Sequence, residues 1–226
     1  MNMQDSRPLR LALPSGALGQ RTREVLRRAN LVLSRRLNES GQMKIDDEPA
    51  IMDALGCPLA SVTIDEADIP TYVEHGVVDL GVVRTHVLRE TDVEVYRPFT
   101  FDVEVGQMAL VAPQELELEG LIERPLLRVA TRCRLFGRDY FLSRGWNVEL
   151  VPIAHDVLLA PLLGLADAAL IFNDDPRALS ERGLHVVDEI GASHAKLIAN
   201  RTTGRKRMRI IERLCQLLAA QTTAAN

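Results

Sequence analysis

Short apolar runs that end in turn residues alternate with amphipathic stretches along most of this 226-residue chain, and that alternation limits its fold more tightly than any other feature. A brief apolar run closed by Pro, Ser or Gly reads as a buried strand, and a 3.6-residue apolar repeat reads as a helix. LRLALP at 9–14 is such a run, ending at Ser15 and Gly16. Val25, Leu26, Ala29 and Leu33 then share one face of a helix expected from about Leu18 to Leu33. SVTI at 61–64 is a strand. It precedes a compact helix with Asp68 as cap, Pro70 in the first turn and Gly76 as left-handed stop. VDLGVV at 78–83 is a strand and HVLRE a short helix. VEVYRPF and VEVGQMALVAP read as two strands with a turn near Asp102, and the acidic QELELEGLIE at 114–123 as a solvated connection.

A second series starts at LLRVAT (126–131). It continues with a helix from Phe136 to Arg144 stopped by Gly145, the strand VELVPI, a helix DVLLAPLLGL capped by Asp156, and the strand AALIF at 168–172. LHVVDEI and AKLIAN read as two strands, and a last helix runs from Arg205 to Ala220. Segment 38–57 has little periodicity, and the sequence shows no internal repeat. Strand–helix units, a β-rich crossing and more strand–helix units predict an α/β fold of two domains with a cleft between them. The expected division is residues 1–92 with 184–226, and residues 93–183.

Composition excludes several classes. Hydrophobic residues at 46% and charged residues at 26% are enough to build a core, so the chain is not disordered. The longest apolar runs, such as VLLAPLLGLA, are half of the ~20 residues a membrane-spanning helix needs. No apolar leader follows the N-terminus, so a cytoplasmic location is expected. Cys57, Cys133 and Cys215 are odd in number and widely spaced, which suits neither a disulfide framework nor a metal cluster. A net charge of −4 argues against non-specific nucleic-acid binding.

LALPSGAL, DIPTYVEHGVVDLGVV, RVATR, LAPLLGLAD, RGLHVVDEI and LIANR occur in an order and spacing that resembles the ATP phosphoribosyltransferase family, over about residues 9 to 215. The length resembles the family's short form. The resemblance implies a fold like type II periplasmic binding proteins, with two α/β domains around a cleft. It implies transfer of phosphoribosyl from phosphoribosyl pyrophosphate to a ring nitrogen of ATP, the first step of histidine biosynthesis, with magnesium. It also implies a homo- or hetero-oligomer and a regulatory subunit related to histidyl-tRNA synthetase.

The resemblance places the substrate-binding turns on particular residues, and there this chain departs from the family. The pyrophosphate loop, roughly acid–Thr–Gly–x–Thr–Leu, falls on Asp174, Asp175, Pro176, Arg177, Ala178 and Leu179. A phosphate needs backbone N–H donors, hydroxyls and cations. Pro176 has no N–H, Asp175 adds negative charge and Ala178 lacks a hydroxyl, whereas Arg177 adds a guanidinium suited to phosphate. The same residues read more naturally as a Pro-started helix capped by Asp174 or Asp175. The family's Pro-Lys-Gly-Arg stands here as Pro14, Ser15, Gly16 and Ala17, and its Gly-Lys-Asp as Arg84, Thr85 and His86. Its Gly-x-Cys-Arg stands as Glu104 to Gln107, and its Gly-Ser-x-Glu as His155, Asp156, Val157 and Leu158. Ser15, Gly16, His86, His155 and Asp156 are therefore the candidates for the nucleotide side of the cleft. The alternative to the enzyme is a catalytically silent paralogue that binds a ligand or regulates other subunits.

Other residues have structural readings. His75 at a helix C-terminus complements the dipole. His86 and His155 would make an acid–base or metal pair only if folding brought them together. The basic run Arg201, Arg205, Lys206, Arg207 and Arg209 is a solvated face or a contact for an acidic partner, because such charge opposes the dipole at a helix start.

Overall fold

The computed structural model describes residues 8–31, 35–37, 43–45, 55–173 and 176–223. The chain forms two compact units, Met1–Val103 with His194–Asn226 and Glu104–Ser193.

The first unit contains β1 (Leu9–Pro14), α1 (Gly16–Arg28), β2 (Arg35–Leu37), β3 (Met43–Ile45), β4 (Leu59–Ile64), α2 (Ile69–Glu74), β5 (Leu80–Arg84) and α3 (Thr85–Glu90). The start of β6 (Val95–Pro113), the end of β10 (Leu184–Asn200) and α8 (Arg205–Thr223) complete it. Its strand order is β3-β2-β4-β1-β5-β10. β1 runs parallel to β4, with Leu9 opposite Leu59, and parallel to β5, with Leu11 opposite Leu80. β10 closes on β5 antiparallel, from Ala195 opposite Arg84 to Ala199 opposite Leu80. β1 is central and buried on both faces, which is why it reads as a continuous apolar run rather than an alternating one. Ala12, Ile69, Val73, Val78, Val83 and Ile198 form a core where α2 meets the sheet.

The second unit contains the rest of β6, α4 (Leu118–Ile122), β7 (Leu127–Thr131), α5 (Arg134–Arg144), β8 (Val148–Pro152), α6 (Leu159–Leu162), β9 (Ala168–Asn173), α7 (Pro176–Ser180) and the first part of β10. Its order is β6-β9-β7-β8. β7 lies parallel to β8 and β9, and β6 lies antiparallel to β9. Leu110, Leu121, Val129, Phe141 and Leu170 centre its core.

The two units repeat one hydrogen-bonding plan that the sequence does not display. Leu9 N–H donates to Pro58 O and Leu127 N–H to Asn147 O, both at 2.9 Å. The Asp79 carboxylate accepts from Arg10 N and the Asp167 carboxylate from Arg128 N, both at 2.8 Å. Asp79 N–H returns a bond to Arg10 O, and Asp167 N–H to Arg128 O. In the turns that precede these aspartates, Gly76 and Gly164 take φ of 67° and 74°, a left-handed conformation that glycine adopts without strain. The plan is carried by backbone and by one aspartate per unit, so it survives where other side chains differ.

Several elements depart from the sequence expectations. α1 ends at Arg28, before Leu33, because Asn30 turns left-handed at φ 54°. No turn interrupts Asp102: β6 is one strand through Pro113. LHVVDEI and AKLIAN are likewise one strand, β10. Both crossings between units thus fall inside long strands. The acidic connection holds helix α4, since Leu121 is fully buried and Leu116 and Leu118 pack on the core of the second unit. Asp68 has helical backbone and no capping bond; Asp65 instead accepts from Ala67 N at 3.0 Å.

Candidate active site

In each unit, residues singled out by sequence stand at the carboxyl ends of three adjacent parallel strands, the usual position for ligands in open α/β sheets. In the first unit these ends are Ile64 to Glu66, Pro14 to Gly16 and Arg84 to His86, following β4, β1 and β5. In the second they are Pro152 to Asp156, Thr131 to Cys133, and Asn173 with Pro176 and Arg177 after it, following β8, β7 and β9.

Ser15 and Gly16 are exposed at the mouth of the first unit. Gly16 has φ 74°, and Gly19 packs so closely that a Cβ there would lie 1.9 Å from Pro14 O. This tight strand-to-helix turn needs its glycines whether or not a ligand sits above it. His86 is half-buried in the first turn of α3. Beside it, Arg84 is committed to Glu66. One carboxylate oxygen accepts from Arg84 N at 2.7 Å and the other from Arg84 Nη1 at 2.9 Å, with side chains 11% and 16% exposed. Local pattern does not reveal this pair, because Glu66 follows β4 while Arg84 ends β5.

His155 and Asp156 are exposed in the second unit. Asp156 does not cap a long helix. Its carboxylate accepts from Arg182 Nη1 at 3.1 and 3.3 Å, and residues 155–158 form tight turns before α6. α6 is only four residues long and ends before Gly164, not across the whole of DVLLAPLLGL. His86 belongs to one unit and His155 to the other. Among the described residues no group of three His, Cys, Asp or Glu converges to hold a metal.

The expected phosphate turn begins after Asn173. Asp174 and Asp175 lie outside the described residues. Pro176 is the first residue of α7, as the Pro-started reading of the segment expects. Arg177 is exposed, and Leu179 is 3% exposed in a core with Val157 and Ala169. Leu179 therefore contributes to the core of the second unit. A buried hydroxyl missed by the sequence reading fixes the neighbouring strand end. Thr131 Oγ1 donates to Leu170 O and accepts from Cys133 N, both at 2.9 Å, tying the β7 turn to β9. His75 Nδ1 lies 3.0 Å from Thr71 O at the end of α2, in keeping with its structural reading.

The sequence model of the ATP phosphoribosyltransferase family matches residues 65–220. An ATP phosphoribosyltransferase of Caldicellulosiruptor bescii is 36% identical over 196 residues, covering 85% of this chain and 89% of that one. One from Symbiobacterium thermophilum is 33% identical over 224 residues, covering 97% and 99%. Among solved structures, the ATP phosphoribosyl transferase (HisG:HisZ) complex from Thermotoga maritima superposes with a TM-score of 0.65 at 26% identity, over 94% of this chain and 99% of that one. The periplasmic aliphatic sulphonate binding protein SsuA from Escherichia coli reaches the same TM-score at 12% identity over 94% and 72%, a likeness of fold alone. Two α/β units of the periplasmic-binding-protein kind, with relatives matched end to end, place this chain in the ATP phosphoribosyltransferase family, whose reaction opens histidine biosynthesis.

Proposed function

We propose that this chain is a catalytic subunit of ATP phosphoribosyltransferase, joining ATP to phosphoribosyl pyrophosphate. A ring nitrogen of adenine bonds to the anomeric carbon of the sugar while the bond from that carbon to pyrophosphate breaks, and pyrophosphate leaves with the electron pair. The observation that carries the reading is the end-to-end match, at 33% identity, to an ATP phosphoribosyltransferase of the same length.

The leaving group gathers negative charge, so catalysis needs donors and cations aimed at it. The turn from Asn173 to Leu179 is the proposed place for it. Arg177 takes the place of the neutral hydroxyl and N–H donors that the resemblance expects there, since a guanidinium grips a phosphate through two parallel, charged donors. Ser15, Gly16, His86, His155 and Asp156 are proposed to border the nucleotide. The described residues build no cage for a divalent ion. Magnesium is proposed to enter as the counter-ion of the substrates' own phosphates, its common mode with nucleotides. A subunit of the kind named in the Thermotoga maritima complex is the proposed partner.

The test is calorimetric titration of the protein with phosphoribosyl pyrophosphate and magnesium, with and without a synthetase-like subunit. Binding that weakens about tenfold or more in Arg177→Ala is the expected result, the loss of one charge-assisted contact. Binding unchanged by that substitution removes Arg177 from the site. No binding in either condition favours the silent paralogue.

A further inference from the structure

We propose that Glu66 is a built-in stand-in for a phosphate: it closes the strand ends of the first unit to anions and so decides which part of a ligand they receive. Glu66 lies just past β4, and Arg84 is the last residue of β5. Both strands flank β1, so the pair joins the strand ends on either side of the turn that carries the exposed Ser15. One carboxylate oxygen accepts from Arg84 N at 2.7 Å and the other from Arg84 Nη1 at 2.9 Å. A strand-end N–H and a guanidinium nitrogen, each aimed at one oxygen of the same group, are the donors that a phosphoryl group takes at such a place. Glu66 holds them from within the chain.

As a brace the pair has little to offer. Its side chains are 11% and 16% exposed, and for charges so far from water the cost of desolvation offsets much of the attraction. β5 is held without it, by β1 on one side and by β10 on the other, where Ala195 to Ala199 run opposite Arg84 to Leu80. What the pair changes is the selectivity of the strand ends. An incoming phosphate must displace a carboxylate of its own sign from both donors before it gains either. An uncharged group, such as a base or a sugar hydroxyl, meets no such repulsion beside Ser15. The inference rests on the proposed function in one respect only: the anions turned away are the phosphates of ATP and phosphoribosyl pyrophosphate.

The experiment is calorimetric titration with inorganic pyrophosphate in an Arg177→Ala background. That background removes the guanidinium proposed to hold the leaving group, and no turnover is measured, so this inference and the catalytic reading fail separately. Glu66→Gln keeps the side-chain volume and an acceptor oxygen but not the charge; Glu66→Ala removes all three, and urea unfolding reports the fold of each. Glu66→Gln should bind pyrophosphate about tenfold or more tighter than the chain with Glu66. Adding Arg84→Gln should abolish the gain. Asp68→Asn makes the same change of charge nearby, at an exposed carboxylate that makes no capping bond, and should alter affinity by no more than about twofold. Unchanged affinity in Glu66→Gln, a gain that survives Arg84→Gln, or an equal gain from Asp68→Asn overturns the proposal. So does loss of folding in Glu66→Gln, which would show the charge pair to be structural.

Discussion

Asp79 is where most is concentrated in one side chain. Its carboxylate accepts from Arg10 N and pairs with Arg207 Nη1 at 2.5 Å, and it is 9% exposed. Truncating it leaves a half-buried guanidinium and the Arg10 N–H of β1 without their acceptor. Asp79→Ala should therefore cost about 3 kcal/mol of stability, read from urea unfolding. A loss below about 1 kcal/mol would show that the network is ornamental. Gly19 depends on space rather than charge. A methyl group there would collide with Pro14 O, a backbone atom that cannot move without breaking β1. Gly19→Ala should cost about 2 kcal/mol or more, and an unchanged melting temperature would contradict the tight-turn account. The sequence exposed the glycines of these turns but not Asp79, Thr131 or the Glu66–Arg84 pair. Each of those bonds joins residues far apart in the chain, and local pattern carries no such information. Asp156 follows the same rule, since a short acid before a helix looks like a cap but its carboxylate is taken by the distant Arg182; at α2 the cause is local, with Asp65 rather than Asp68 accepting from the backbone.

At the scale of elements, strands buried on both faces were legible and their continuity was not. β1, β5 and β7 announce themselves as apolar runs. β6 and β10 were each cut in two, because a change of burial along a long strand looks like a turn. α4 was hidden by glutamates that conceal the spacing of Leu118 and Leu121. α5 is held by an aromatic cluster. The Tyr140 and Phe141 rings meet edge to face at 4.9 Å, Arg144 lies 4.0 Å over the Tyr140 ring, and the Tyr140 hydroxyl donates to Asp188. Burial and the neighbouring Asp188 carboxylate hold the Tyr140 proton well above the ordinary tyrosine range. Burial likewise pushes the Cys215 thiol of α8 up to about 11. In both cases the folded state binds the proton more tightly than the unfolded chain. The contribution is therefore complete below the unfolded values and is lost as pH rises through the folded ones. Denaturant midpoints should begin to fall above about pH 9. Cys215→Ala should flatten the first part of that fall and Tyr140→Phe the part above about pH 10. A profile left unaltered by both substitutions would refute the assignment. Asn200 joins elements as well: its Nδ2 donates to Val73 O and Glu74 O, both at 2.7 Å, closing the end of α2. Asn200→Ala should lower stability by about 1–2 kcal/mol, measured by thermal unfolding, and no change would mean that water replaces it.

Over the whole molecule, the family was legible because its scaffold motifs, LALPSGAL, DIPTYVEHGVVDLGVV and LAPLLGLAD, stand in order along the chain. The site was less so. Its candidate turns follow separate strands in each unit, and the residues that the resemblance places there include Ser15, His86, His155 and Pro176, which local pattern alone does not mark as a site. What the two units share is a backbone plan with an aspartate clasp. The catalytic claim therefore concentrates on whether Arg177 and its neighbours hold a leaving pyrophosphate. Release of pyrophosphate from phosphoribosyl pyrophosphate, dependent on ATP and measured with the synthetase-like subunit present, tests it most directly. The account predicts turnover that falls about tenfold or more in Arg177→Ala while the fold persists. Absence of any ATP-dependent release, from protein that still assembles with that subunit, would contradict it.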